Sequence, residues 1–178
     1  MSQIHHISPN VLGLQKLYEI IHNDYQLALS EEAIDRIEKA RNYLTNEVDG
    51  KDVPVYGVNT GFGSLCNVSI PKKDLGQLQA NLVMSHACGT GDLVPEEVVK
   101  IMLFLKIQSL SYGYSGVQVA TVKRLVDFYN NDVLPVIYEQ GSLGASGDLA
   151  PLAHLALPII GQGEVYYDGE IRDAAELL

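Results

Sequence analysis

The chain has 178 residues, 47% apolar and 19% charged, and its 12 basic and 22 acidic side chains leave a formal net charge of −10. That composition can bury a core, which excludes general disorder, and it lacks the basic footprint of a non-specific nucleic-acid binder. The longest apolar run, Ile101 to Leu105, stops at Lys106 and is too short to span a bilayer.

The start, Met1-Ser2-Gln3-Ile4-His5-His6, carries no basic-then-apolar export pattern, so a cytoplasmic chain is expected and its first half-dozen residues should fray. Cys66 and Cys88 cannot build a disulfide framework or a zinc site alone and read as buried thiols. A first helix is predicted from Val11 to Asn23, with Asn10 as cap. A second opens at Ser30, with Glu31 and Glu32 placed against the positive end of its dipole, an apolar stripe of Ile34, Ile37, Leu44 and Val48, and a stop at Asp49-Gly50. Val53 to Val58 reads as a short extended piece leading into the glycine-rich run Asn59-Thr60-Gly61-Phe62-Gly63-Ser64.

From Pro71 the helical period returns with Leu75, Leu78 and Leu82, and Gly89 is the stop. A helix from Pro95 towards Tyr112 is apolar nearly all round, as a central buried helix would be. Another spans about Gly116 to Asn130, with Val122, Leu125, Val126 and Tyr129 on one face. After a Gly/Ser loop from Glu139 to Asp148, Leu149 to Ile160 is helical in pattern but limited by Pro151 and Pro158. Val165 to Ile171 is a hairpin turning on Asp168-Gly169. Asp173 begins another helix that the chain barely enters, which reads as a truncation.

Phosphate-loop, zinc-protease and paired Cys-x-x-Cys patterns are all missing, and Gly57, Gly61 and Gly63 do not make a dinucleotide fingerprint. Gly144-Ala145-Ser146-Gly147-Asp148 resembles a hydrolase nucleophile elbow, but Asp148 replaces its second glycine and a helical stretch precedes it where a strand is needed. Different chemistry suits this loop. Gly144 and Gly147 lack a Cβ, and Ala145 and Ser146 are small, so the backbone can fold tightly on itself. If the Gly147 nitrogen is pressed against the Ala145 carbonyl carbon, amide resonance is lost and a five-membered ring can close. Loss of water from that ring, with departure of the Ser146 hydroxyl, leaves an electrophilic exocyclic methylidene. On composition alone the favoured reading is plainer, a Gly/Ser-rich turn that caps the helix from Leu149.

Gly141-Ser142-Leu143-Gly144-Ala145-Ser146-Gly147-Asp148-Leu149-Ala150-Pro151-Leu152-Ala153-His154 resembles the signature of the aromatic amino acid ammonia-lyases. Val55 to Gly63 is similar to that family's tyrosine loop, and Asn81 to Ala87 to its selectivity helix, in the family's order. The resemblance covers nearly the whole chain from Val53 onward. It implies a mainly α fold, the N-terminal portion of the ammonia-lyase helical fold, with a small β-hairpin near the C-terminus. Residues 1–178 would be the cofactor-bearing front of a longer chain whose downstream helical bundle is missing. Ala145, Ser146 and Gly147 would cyclise to the cofactor 4-methylidene-imidazole-5-one (MIO), Asp148 would cap the next helix and assist the ring, and no metal is implied.

Carried over further, Tyr56 would be the base that removes the substrate's β-proton, and a phenol needs electrostatic help to do so near neutrality. The other reading of Tyr56 is packing at the mouth of a glycine loop. Gly63 would lie against substrate, and Leu149 either lines the pocket or is helix core. His86 falls three turns after Leu75 on the same helix face and could be a satisfied core histidine. In the family, the pair at Ser85-His86 lines the pocket for the substrate ring, and Ser-His resembles the histidine-acting members. Such an imidazole rejects a ring that leaves it unpaired. His154 reads as structural.

The implied activity is non-hydrolytic cleavage of L-histidine to urocanate and ammonia by a cytoplasmic homotetramer, with no nucleic acid or membrane partner. Alternatives are a phenylalanine or tyrosine ammonia-lyase, an aminomutase of the same family, or a non-catalytic helical interaction module. Two departures stand out. The downstream substrate-holding asparagine, arginine, tyrosine and glutamate are missing, and Tyr112 occupies a position usually basic in the family. The piece alone is therefore expected to be inactive and to self-associate through apolar surface around Ile101 to Ile107.

Overall fold

The computed structural model describes residues 3–48, 54–144 and 150–177. These fall into two compact units, each assembled from separate stretches of chain: 1–44 with 95–134 and 166–171, and 45–94 with 135–165 and 172–178.

The first unit opens with β1 (Ile4–Ile7), α1 (Leu14–His22) and β2 (Gln26–Leu29). The two strands pair in parallel, with Ile4 opposite Gln26 and Ile7 opposite Leu29. Residues expected to fray are thus tied into a sheet, because Ile7 and Leu27 both bury their side chains. The first helix begins later than its sequence suggests: Gly13, not Asn10, is the cap, and Asn10 bonds to Ser8 instead.

In α2 (Glu31–Val48) Ser30 caps as expected, its hydroxyl accepting from the Ala33 amide at 3.2 Å. The face it buries is led by Ala33 and Ile37, one turn apart, while Ile34 is only half-buried. In α4 (Glu96–Ser111), Val99, Leu103, Phe104 and Ile107 are fully buried, but Val98 and Leu105 are 44% and 46% exposed. An apolar circumference therefore does not mean burial all round. Among the described residues no helix is long and apolar enough to cross a membrane.

Against α4 packs α5 (Val119–Asn130), which buries Val122, Leu125, Val126 and Tyr129 on the expected face. Its last residue completes the sheet. Asn130 Oδ1 accepts from the Leu27 amide at 2.7 Å, and its Nδ2 donates to the Leu27 carbonyl at 2.9 Å. One side chain thus satisfies both backbone polar groups of Leu27, on the edge of β2 turned away from β1, where an added strand would otherwise sit.

In the second unit, α3 (Leu75–His86) packs against α6 (Ala150–Ala156), and β3 (Thr90–Leu93) pairs antiparallel with β5 (Tyr138–Gln140). Pro71 precedes a 3-10 turn, Lys72–Asp74, that leads into α3. After α6 a 3-10 turn, Leu157–Ile160, continues past Pro158. The two-residue β4 (Leu134–Pro135) joins β6 (Glu164–Tyr167) and β7 (Glu170–Asp173) in the order β4-β6-β7. Asp168 and Gly169 both have positive φ, 53° and 76°, as the hairpin turn requires. Asp173 then caps a 3-10 turn, accepting from the Ala175 amide at 2.9 Å.

Replacing Asn130 with Ala leaves the Leu27 amide and carbonyl without these bonds. We expect a loss of about 1–3 kcal/mol, read as a lower urea midpoint with an unchanged slope.

Candidate active site

Tyr56 does not stand on an extended strand. The amides of Val58 and Asn59 both return to the Val55 carbonyl, at 3.0 and 3.2 Å, so residues 55–59 form a turn. Two side chains lock it: Asn59 Oδ1 accepts from the Val55 amide at 2.7 Å, and Thr60 Oγ1 from the Gly57 amide at 3.3 Å. Asn59 and Thr60 are buried to do this, which leaves Tyr56 at the crest, 63% exposed. Gly57 adopts φ +70°, and a Cβ there would lie 2.7 Å from Phe62 Cε1. Gly63 also needs its glycine for the backbone, at φ +57°, while the space beside its Cα is open.

Helix α3 carries the second group of candidates. The stripe Leu75, Leu78, Leu82 and His86 faces inward as expected, though only to half-burial. His86 Nδ1 sits 2.7 Å from the Leu82 carbonyl oxygen and 3.1 Å from Ser85 Oγ. A carbonyl can only accept, so Nδ1 carries the hydrogen, and a neutral ring is left with Nε2 as an open acceptor. Ser85 Oγ donates to the same carbonyl at 3.1 Å.

Loop and helix meet through two residues that the sequence motifs do not single out. Gln79 Nε2 donates to the carbonyls of Gly57 and Val58, at 3.1 and 3.0 Å. The Phe62 ring lies 5.5 Å from that of Tyr56 and 5.2 Å, edge to face, from that of His86. The available signal is positional, since Gln79 precedes His86 by two helical turns and so shares its side of α3.

Ala145, Ser146, Gly147, Asp148 and Leu149 lie outside the described residues. Their flanks do not. A Cβ on Gly141 would lie 2.9 Å from Gly89 Cα and 3.4 Å from Ala150 Cβ, so Gly141, before the stretch, packs on both Ala150, after it, and Gly89, which follows α3 by three. The Gly89 amide donates to His154 Nε2 at 2.9 Å, and the His154 ring packs edge-on to Tyr138 at 5.3 Å. His154 is buried with its Nε2 committed to this contact, the structural part its sequence suggested. The residue types at 145–147 supply the chemistry MIO needs, a glycine nitrogen and an eliminable serine hydroxyl.

Tyr112 lies in the first unit, at the C-cap of α4, where it lines a cavity of about 540 Å³. Arg36 and Lys39 of α2 line the same cavity, so positive charge stands beside the tyrosine that replaces the expected basic residue. Neither thiol is fully buried: Cys66, at the end of a 3-10 turn, is half-buried, and Cys88, between α3 and β3, is exposed.

A glycine-locked tyrosine turn is thus docked on a helix that ends in Ser-His, in a chain that matches the aromatic amino acid lyases. The chain belongs to that family, whose pattern matches residues 12–178. It is 51% identical to a histidine ammonia-lyase of Deinococcus radiodurans over 167 residues, covering 94% of this chain and 32% of that one. It is 43% identical to that of Streptococcus pyogenes over its whole length, 34% of the relative. The chain thus spans about a third of the curated relatives it matches. Among solved structures it is similar to the histidine ammonia-lyase of Trypanosoma cruzi (34% identity, TM-score 0.85, 100% of this chain and 34% of that one). It is also similar to a tyrosine aminomutase from Streptomyces globisporus (30%, TM-score 0.88, 100% and 33%).

Burial holds the His154 pKa below its usual 6.5, and burial followed by the Lys16 charge does the same for His5. Protonation is then harder in the folded state than in the unfolded one. Both rings therefore contribute stability above pH 6.5 that is lost as pH falls through the depressed folded values. The urea midpoint should drop between about pH 7 and pH 5, and His154→Gln, which keeps an acceptor but does not titrate, should flatten part of that slope.

Proposed function

We propose that this chain supplies the cofactor-bearing front segment, residues 1–178, of a histidine ammonia-lyase, which converts L-histidine to trans-urocanate and ammonia. The observation that carries the reading is the Ser85-His86 end of α3, with His86 Nδ1 committed to Leu82 and Nε2 left as an acceptor. A substrate imidazole has an N–H to give this nitrogen. A phenyl ring has none and would leave it unpaired, the kind of mismatch that discriminates strongly. A phenol could also donate there, so tyrosine is the competitor to test, and the likeness to a tyrosine aminomutase makes an aminomutase the second reading.

In this proposal Tyr56 accepts the β-proton. The electrons of that C–H bond form the Cα–Cβ double bond, and the Cα–N pair leaves with ammonia, so neither water nor an oxidant is consumed. MIO, formed from Ala145, Ser146 and Gly147, would supply an electrophile that makes the amino group able to leave. The Tyr56 turn is pre-shaped by Asn59 and Thr60 before substrate arrives, which spares reorganisation at the reacting step. Gly63 keeps the approach to substrate free of a side chain and Ser85 braces His86; Leu149 would border the pocket and Asp148 would orient the cofactor loop. The assembly we propose is a cytoplasmic homotetramer, with the 178-residue piece inactive alone.

Full-length protein given L-histidine should show rising urocanate absorbance, and none with L-phenylalanine. Its Gly141–Leu149 peptide should weigh two waters less than its sequence. Ser146→Ala should remove both signals. Tyr56→Phe should keep the mass deficit but lower turnover by about a hundredfold or more. Unmodified mass in wild type, or no urocanate, overturns the assignment.

A further inference from the structure

Of the chain's three phenylalanines, Phe104 and Phe128 are core residues, 0% and 4% exposed, but Phe62 is 38% exposed. Core packing does not account for it. Its ring contacts both side chains on which the proposed chemistry depends, 5.5 Å from that of Tyr56 and 5.2 Å from that of His86. Gly57 sits so close that its own Cβ would press on the Phe62 ring at 2.7 Å, so the turn bearing Tyr56 is shaped around that ring. The ring and the Gln79 amide, which donates to the carbonyls of Gly57 and Val58, are two separate attachments of the turn to one side of α3.

We infer that Phe62 is a positioning residue: its ring is the spacer that sets Tyr56 relative to His86. This rests on the proposed lyase reading for the roles of those two side chains, and the ring row itself stands independently of it. The physical reason is stiffness. Tyr56 is exposed at a loop crest and would sample several rotamers if unsupported, and the Gln79 bonds hold only backbone carbonyls. An aromatic wall on one side restricts the Tyr56 ring, and the same wall, met edge to face by His86, restricts the imidazole. Proton abstraction and recognition of the substrate ring are then registered to each other through one side chain that need not touch substrate. Misplacement of a reacting group by about 1 Å can cost a hundredfold, so the spacer acts on turnover more than on binding.

The test compares Phe62→Ala, Phe62→Leu and Phe62→Tyr in full-length enzyme, beside Gln79→Leu. Phe62→Ala should lower kcat by about ten- to a hundredfold with a much smaller change in KM. It should also narrow the preference for histidine over tyrosine, while thermal stability and the two-water mass deficit stay near wild type. Phe62→Tyr, which keeps the ring, should recover most of the rate, and Phe62→Leu, which keeps bulk but not the flat wall, should not. Gln79→Leu should loosen the backbone, seen as faster amide exchange over residues 54–65, with the substrate preference retained. Equal kcat in Phe62→Ala and wild type, or full recovery by Phe62→Leu, overturns the spacer role while leaving the lyase reading intact. A wild-type enzyme without lyase activity overturns that reading, and with it the part Phe62 plays in turnover. If Phe62→Ala fails to fold, Phe62→Leu and Phe62→Tyr still decide, because the proposal requires them to differ.

Discussion

The bond from the Gly89 amide to His154 Nε2 holds the second unit in register. Its donor follows α3, its acceptor lies on α6, and Gly141 packs its backbone onto the same glycine. Neither glycine has room for a side chain: a Cβ on Gly89 would meet His154 Nε2 at 2.9 Å, and one on Gly141 would meet Gly89 Cα at the same distance. The His-Gly bond is available only while the imidazole is neutral, and burial keeps it so. The end of α3, the approach to the Gly/Ser loop and the helix after that loop are thereby fixed to one another.

The candidate site inherits that frame. The end of α3 carries Ser85 and His86, and the Tyr56 turn is seated on the same helix by Gln79 and Phe62. Each attachment uses a different interaction: a side-chain amide against two carbonyls, and rings against rings. Hydrogen bonds fix the backbone of the turn, and aromatic contacts then fix what protrudes from it. Such layering holds still a side chain that stands exposed at the crest of a loop.

Helices are the legible part of the fold, and their ends are clearest where a capping side chain exists. Ser30 caps α2 and Asp173 caps the last turn as their sequences suggest, whereas α1 begins at a glycine whose side chain can offer no signal. The paired strands β1 and β2 are not legible, because four-residue segments have too little periodicity to register, and the outer edge of β2 is met by Asn130, a hundred residues away. The circumference of α4 misleads for a related reason: hydrophobicity tells which residues tolerate burial, and neighbours decide which are buried.

At the site, the sequence by itself determined the chemical inventory: a tyrosine beside glycines, a Ser-His pair on a helix face, and an Ala-Ser-Gly triplet able in principle to cyclise. It also determined the family, since those three motifs in that order make a specific pattern. Only the tertiary structure decided which partner each imidazole meets. The sequence already reads His154 as structural and His86 as the pocket candidate; the structure adds their partners, since His154 accepts from a backbone amide while His86 donates to a carbonyl and keeps a free acceptor. The difference lies in which backbone group each ring meets, and for His154 that group belongs to a segment distant in sequence, so no local pattern of residues could encode it.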